Sequence, residues 1–210
     1  MTQMKTKYSI PKILTSLSAV VFMSSCSMDV PLENQVIAEE TDYSQSNNMA
    51  LLARGAYIDL YSMEWESVPL IGVRGDDINA GGAGDQPLFA NADNFRYDRN
   101  FWMLNSTWLN FYTDILNWQG AIEEIQKYQD AGASEETAQQ YIAEIKVMQG
   151  FELLQLARLW GPILIPTSST PSDMFNVEPT DFAGVMAHIS NLMDEALPSL
   201  QDVRPNQRTD

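Results

Sequence analysis

The sequence predicts an all-α fold with long irregular loops. Apolar residues recur at helical spacing in four stretches, 47–61, 107–128, 135–160 and from 180 to about 197, which favours four main helices. No stretch alternates apolar and polar residues with a period of two for long, so no sheet is expected. Aromatic residues make up 10% of the chain, which is enough to fill a helical core.

The first predicted helix is followed by a long irregular region. Leu51, Ala56 and Leu60 lie at helical spacing within 47–61. The region 63–100 is instead rich in Gly, Asp, Asn and Pro and has few apolar clusters. Loops of this length are usually either functional or disordered. The region is therefore the first place to look for ligand-binding residues.

Two central helices are predicted to form an antiparallel hairpin. The first, 107–128, carries a wide apolar stripe and ends before Gly132. The second begins after Ser134, a favourable N-cap residue followed by two glutamates that suit the helix dipole. It ends at Gly161, and Pro162 prevents its continuation. Its second half is apolar on more than one face, as expected of a helix buried among others, and the short connection makes the two helices antiparallel neighbours.

An extended link and one more amphipathic helix complete the predicted fold. The link is 163–166, and the helix runs from about Thr180 to Pro198. Its apolar positions are Phe182, Val185, Met186, Ile189, Leu192, Met193, Ala196 and Leu197. No 34-residue repeat is strong enough to indicate a tetratricopeptide array on its own.

The N-terminus has the pattern of a bacterial lipoprotein signal. Three lysines precede a short apolar run, and Ser24-Ser25 then lead directly into Cys26, the only cysteine in the chain. We expect residues 1–25 to be a signal peptide and Cys26 to receive the lipid. The alternative is a plain signal peptide followed by an incidental cysteine. A membrane-spanning anchor is disfavoured, because the apolar run is about half the ~20 residues that a bilayer needs.

The charge of the chain limits its ligands. The formal net charge is −16, and removing the signal would take away three lysines and no acid. Such a body repels nucleic acid and other polyanions. Acylation of Cys26 would leave no thiol for a disulfide or a thiolate metal site. Residues 26–46 are polar and acidic and are predicted to be a tether, which leaves 47–210 as the folded domain.

Several motifs, in order, resemble the SusD/RagB family of surface lipoproteins. They are Arg54-Gly55-Ala56-Tyr57, Gly75-Asp76-Asp77, Trp108 with Tyr112 and Ile115, Ala143-Glu144-Ile145-Lys146, and Arg158-Leu159-Trp160-Gly161. The sequence departs from the family pattern at Gln119, at Gln149-Gly150 and at Leu192, and Gly161 meets Pro162 without the usual intervening Asp. It also stops well short of the usual family length, so we expect a fragment or a truncated reading frame. The resemblance implies a SusD-like core of tetratricopeptide-like helix hairpins, truncated at the C-terminus.

The resemblance also implies a function. Family members bind a nutrient, most often a glycan, and deliver it to a SusC-like TonB-dependent transporter in the outer membrane. The expected ligand is an oligosaccharide or a peptide, the lipid anchor lies in the outer membrane, and no cofactor, catalysis or nucleic-acid binding is implied. The sequence shows no nucleophile and base pair, and its single histidine, His188, suits a surface position better than a catalytic one.

The residues 85–105 carry the side chains that sugar binding needs. Flat aromatic rings cover the C–H faces of a sugar, and Asn, Asp or Arg bind its hydroxyl groups. We predict that Tyr97 and Trp102 form the aromatic pair and that Asn94 and Arg99 supply the polar contacts. The alternative is that the aromatic residues here, Phe101 among them, only pack the loop onto the helices.

Two other interpretations remain open at this point. The acids Asp76, Asp77 and Asp85 with Asn79 could hold Ca²⁺ through oxygen ligands, but their spacing matches no EF-hand and a solvated acidic loop is favoured, so no metal site is predicted. For the whole chain, the alternative to a nutrient-binding protein is a structural or interaction lipoprotein, or a truncated fragment without ligand binding of its own.

Overall fold

The computed structural model describes residues 41–75, 78, 87–96 and 98–202, and these form an all-α arrangement. The α-helices are α1 (Asn48–Arg74), α2 (Pro87–Asp93), α3 (Trp102–Asp130), α4 (Glu135–Trp160) and α5 (Phe182–Ala196), with short 3₁₀ helices at Pro171–Asn176 and Leu197–Ser199. Within the described ranges the only β pairing is an isolated antiparallel bridge between Ile163 and Thr180. The predicted fold class is therefore confirmed.

The described helices belong to a compact unit that begins at Asp42. Tyr43 lies within the predicted tether, but it packs against the core: its ring meets that of Tyr128 edge-on at 5.0 Å, and its hydroxyl donates to Glu124 Oε2 at 2.8 Å. The predicted signal peptide and Cys26 lie outside the described residues. None of the described helices combines the length and the apolarity needed to cross a bilayer.

Helix α1 is longer than the sequence predicts. It was expected to end near residue 61, but it continues to Arg74 and so occupies part of the region assigned to an irregular loop. The reason is tertiary packing at its C-terminal end, where Leu70 and Val73 are buried against Ala92 and Phe101. Burial of these side chains stabilises the helix beyond Pro69, which lacks the N–H that a helix interior uses.

The hairpin of α3 and α4 forms as predicted, and its turn explains how. Gly132 adopts a φ of 102°, a conformation that glycine adopts without strain. The Ala133 amide then donates to the Tyr128 carbonyl at 3.0 Å, which satisfies the end of α3. The Ser134 hydroxyl accepts from the Thr137 amide at 3.3 Å, so the predicted N-cap of α4 is confirmed. Gly161, with a φ of 83°, ends α4.

Two large hydrophobic clusters hold the helices together. The first lies between α1, α3 and α4 and the second between α3, α4, α5 and Ile163. The first cluster includes Met49, Ala53, Trp118, Ile122, Ile125, Ile142, Ile145 and Met148, and the second includes Phe111, Ile115, Leu153, Leu156, Val185 and Ile189. Because α3 and α4 contribute to both clusters, each helix of the hairpin is buried along most of its length.

The link after α4 is fixed by Tyr112. The Tyr112 hydroxyl accepts from the Leu164 amide at 2.8 Å and donates to the Leu164 carbonyl at 3.0 Å, so both backbone groups of one residue are satisfied by one side chain. Next to it, Ile163 and Thr180 exchange two backbone hydrogen bonds of 3.0 and 2.7 Å. These contacts place the start of α5 against α4.

The departures from the family pattern lie where helices meet. The Gln149 amide nitrogen donates to Gln119 Oε1 at 3.3 Å, so two of the unusual residues contact each other across the α3–α4 interface. At Gly150 a Cβ atom would lie 2.6 Å from the Met193 methyl group. The absence of a side chain at Gly150 therefore lets α5 lie close to α4.

Candidate ligand-binding site

The structure describes the side chains of only two of the four residues predicted from sequence to bind ligand. Tyr97 lies outside the described residues, and Trp102 is the first residue of α3, with its side chain outside the described part. Asn94 and Arg99 are exposed. The Asn94 side chain donates to the Ala90 carbonyl at 2.7 Å, so it closes the turn after α2. As ligand-binding residues all four remain predictions.

For Phe101 the packing alternative is the one observed. Its side chain is 8% exposed and packs with Leu70, Val73 and Ala92 in a third small cluster. It therefore connects the start of α3 to α1 and α2 and offers no surface to a ligand. The acidic loop residues for which calcium binding was the disfavoured alternative, Asp76, Asp77, Asn79 and Asp85, lie outside the described residues.

The structure instead presents Phe95 as an outward-facing aromatic ring. Phe95 has a φ of 54°, which bulky residues rarely adopt, and its side chain is 60% exposed. The turn that holds it is closed by the Phe95 amide on Ala92 O at 3.1 Å and the Arg96 amide on Asn91 O at 2.7 Å. Backbone strain of this kind costs on the order of 1–3 kcal/mol and concentrates at functional sites. The turn is therefore a candidate for function.

Arg74 lies over this ring and forms one wall of a cavity. The guanidinium carbon of Arg74 is 5.5 Å from the centre of the Phe95 ring, a cation–π contact. The cavity beside them has a volume of about 230 Å³ and is lined by Ile71, Arg74, Gly75, Phe95, Arg158 and Leu159. That volume is below the roughly 300–1,000 Å³ of pockets that enclose whole small molecules. The cavity therefore suits one ring or one end of a larger ligand.

A second guanidinium reaches the same cavity from another helix. Arg158 lies in the last turn of α4 and is exposed, and its Nη1 donates to Gln155 Oε1 at 3.3 Å. Gln155 is buried, so this hydrogen bond restrains the position of the Arg158 guanidinium. Together these groups offer a ring face and several N–H donors, the combination that recognises a sugar.

A larger cavity of about 490 Å³ lies where the N-terminal ends of α1 and α4 approach each other. Its lining includes Arg54, Ser134 and Thr137, and the one aromatic residue among its described lining is Tyr141. Tyr141 is only 4% exposed and belongs to the first cluster, so it presents no free ring face. The smaller cavity at Phe95 is therefore the better candidate for a sugar.

Three carboxyl groups on three helices affect one another electrostatically: Glu152 is buried, and Asp59 and Asp114 are half-buried. Glu152 on α4 is fully buried and neither of its oxygens has a hydrogen-bond partner. Burial, with the charges of Asp114 and Asp59, raises the pKa of Glu152 to about 10. Burial and the charge of Asp59 raise the pKa of Asp114 to about 7. No three acidic, histidine or cysteine side chains among the described residues are arranged to hold a metal ion.

The residues that form the candidate site are not among those predicted from the sequence to bind ligand. Arg74 and Arg158 stood in or beside the family motifs, but no ligand role was assigned to either. Phe95 was not singled out, because its exposure and its contact with Arg74 arise from packing between α1 and the turn after α2. The available signal was its place among polar residues, Asn94 and Arg96, in a stretch already expected to bind sugar.

Comparison with solved structures identifies the fold. No protein-family model matches the sequence, and no curated protein matches it. A crystal structure with xylogluco-oligosaccharide is similar with a TM-score of 0.56 and 18% identity, over 74% of this chain and 31% of that one. A laminarin-binding SusD-like protein is similar with a TM-score of 0.54 and 18% identity, over 74% of this chain and 36% of that one. The chain thus spans about a third of the length of these proteins, and it has the SusD-like helical fold that the order of its motifs implied.

Proposed function

We propose that this chain is part of a glycan-binding outer-membrane lipoprotein that passes its ligand to a SusC-like TonB-dependent transporter. The observation that carries the proposal is an exposed aromatic ring beside a guanidinium-lined cavity in a SusD-like fold. The names of the two similar structures, which include a xylogluco-oligosaccharide and laminarin, agree with a sugar as the ligand.

The site suits binding better than catalysis. Phe95 offers a flat apolar face for the C–H surface of a pyranose ring, and Arg74 and Arg158 offer N–H donors for its oxygens. The described residues that line the cavity include no acid, nucleophile or histidine. A protein with these groups would hold a sugar without cleaving it.

The proposals of delivery to a transporter and of an outer-membrane location rest on the lipoprotein signal and on the resemblance to the SusD/RagB family. An acylated Cys26 would anchor the chain, and residues 27–41 would then separate the lipid from the compact unit that begins at Asp42. A lipid anchor of several acyl chains holds a protein at a membrane effectively permanently. Such an attachment would keep the binding site close to a barrel in the same membrane.

Replacing Phe95 with alanine is expected to weaken sugar binding. The change removes the ring face, and an aromatic contact of this kind contributes on the order of 1 kcal/mol, so affinity should fall about fivefold. The measurement is isothermal titration calorimetry of the 210-residue chain with xyloglucan oligosaccharides and laminari-oligosaccharides. Circular dichroism of each variant shows whether the helical fold is retained.

Phe175→Ala is the matched control. Phe175 is 86% exposed on the 3₁₀ helix Pro171–Asn176 and does not line the cavity, so its loss should leave affinity unchanged. A loss of binding in Phe175→Ala but not in Phe95→Ala would place the site elsewhere. Absence of binding to any oligosaccharide by the folded chain would contradict a glycan-binding role for this part of the fold.

The anchor has its own test. In a Gram-negative host fed with radiolabelled palmitate, the wild-type chain should incorporate the label and sediment with the membranes, whereas Cys26→Ala should do neither. Ser25→Ala is the control, because it keeps a small residue before the cysteine. Export of an unlabelled wild-type protein would show that residues 1–25 form a plain signal peptide.

A further inference from the structure

We propose that the cavity beside Phe95 is a subsite for a sugar that carries a single carboxylate, such as a uronic acid at one end of an oligosaccharide. This inference rests on the proposed function, because it names the class of glycan that the same site would take. It depends on the charges around the cavity, which the proposed function does not use.

Among the residues that the structure describes, the two charged ones that line the cavity are both arginines. Arg74 comes from the end of α1 and Arg158 from the end of α4, and the other lining residues, Ile71, Gly75, Phe95 and Leu159, are uncharged. The whole chain has 12 lysines and arginines against 28 acids, so two arginines among the six described residues that line one cavity stand out against the composition. An anionic group is the natural complement of such a lining.

The position of each arginine within its helix explains only part of this arrangement. Each lies in the last turn of its helix, where the helix dipole favours a cation. That effect acts on each helix separately and does not require the two side chains to line one cavity. Helix stability alone therefore leaves their convergence unexplained.

The guanidinium of Arg158 has donors left for a ligand. Its only hydrogen bond within the described part of the chain is from Nη1 to Gln155 Oε1 at 3.3 Å, and neither of the ion pairs found there includes it. Guanidinium has five N–H donors in a planar fork, which matches the two oxygens of a carboxylate. Arg158 can therefore bind a carboxylate through its other N–H groups while Nη1 donates to Gln155.

The exposed ring of Phe95 and the net charge of the chain limit the class of ligand further. Phe95 is 60% exposed and forms the apolar side of the cavity, so the anionic group should be attached to a ring with a C–H face. A net charge of −16 repels polyanions such as nucleic acid or heavily sulfated glycans. One carboxylate on one sugar ring satisfies both conditions.

The test compares two disaccharides that differ only in the acid group. Cellobiouronic acid and cellobiose are titrated separately into the 210-residue chain at about 50 mM NaCl. We expect the acid to bind about tenfold tighter, as a charge-assisted contact with guanidinium implies. The preference should shrink at about 500 mM NaCl, because salt screens the attraction.

Substitutions show which residue causes the preference for cellobiouronic acid over cellobiose. Arg158→Gln should reduce the ratio of the two affinities to about one, and Arg158→Lys should leave a smaller preference, because lysine keeps the charge without the fork. Arg54→Gln is the matched control, since Arg54 is exposed and lines the other cavity, and it should retain the preference. Arg158 is itself exposed, so its substitution should not affect folding, which circular dichroism would verify.

The possible outcomes separate the two proposals. Equal binding of both sugars, or a preference that survives Arg158→Gln, would overturn the inference and leave the glycan-binding function intact. An equal loss of preference in Arg54→Gln would show a general charge effect and also overturn it. If neither sugar binds but an N-acetylated peptide with a free C-terminal carboxylate does, in a manner that depends on Arg158, the carboxylate comes from a peptide and the sugar proposals both fail.

Discussion

Replacing Glu152 with glutamine is expected to stabilise the protein at neutral pH and to have little effect in acid. Glu152 is fully buried on α4 without a hydrogen-bond partner, and burial raises its pKa to about 10. The folded chain therefore holds this side chain neutral at pH 7, whereas the unfolded chain ionises it above its ordinary value of 4.5. Glutamine has nearly the same shape and is neutral in both states, so it removes the difference.

The sign and size of the stability difference between wild type and Glu152→Gln follow from proton linkage. Because the folded pKa is raised, the stability that protonation gives is fully present below pH 4.5 and is lost progressively as pH rises towards 10. Each pH unit in that window costs about 1.4 kcal/mol. At pH 7 the wild-type chain should thus be less stable than Glu152→Gln by about 3 kcal/mol. Asp114, with a pKa raised to about 7, adds to the slope in the lower part of the window.

Urea unfolding of both proteins between pH 4.5 and 8 would measure the effect. The stability difference should be near zero at pH 4.5 and should grow steadily with pH. Glu178→Gln is the control, since it makes the same chemical change at an exposed position outside the helices. A constant difference between wild type and Glu152→Gln across this range would mean that Glu152 is ionised in the folded chain.

The sequence predicts most of α4 but not the chemistry of Glu152. The limits of α4 depend on local signals, the cap at Ser134 and the stop at Gly161, which act through neighbouring residues whatever the rest of the fold does. The environment of Glu152 depends on Asp59 and Asp114, which come from two other helices. A single sequence shows an acid in an apolar helix and does not show which groups surround it.

The difference between local signals and contacts between helices also explains why the end of α1 and the candidate site were not predicted. The predicted end of α1 near residue 61 was wrong because Leu70 and Val73 are held by packing against Ala92 and Phe101, and that packing is not visible in the local pattern. Phe95 and Arg74 are likewise brought together across the turn after α2. The prediction that sugar binding lies in 85–105 used only the aromatic and polar composition of that stretch, and Phe95 of the candidate site falls within it.

Replacing Leu156 with alanine is expected to destabilise the fold strongly. Leu156 on α4 is fully buried in the second cluster, against side chains of α3 and α5. Substitutions of this kind lose the burial of the removed atoms and leave a cavity, so the free energy of unfolding should fall by about 3 kcal/mol. For a chain of this size the melting temperature should fall by roughly 6–12 °C. Leu109→Ala is the control, because Leu109 is 64% exposed on α3 and its loss should change stability by less than about 0.5 kcal/mol.

The form of the transition is as informative as its midpoint. Helices α3 and α4 run through both large clusters, so damage at Leu156 should weaken the first cluster as well as the second. Trp118 reports on the first cluster, and Trp108 and Trp160 report on the second. We therefore expect tryptophan fluorescence and far-ultraviolet circular dichroism to follow one coincident transition in Leu156→Ala, shifted as a whole. A second transition, in which the first cluster unfolds at the wild-type temperature, would show that the shared helices do not couple the two clusters.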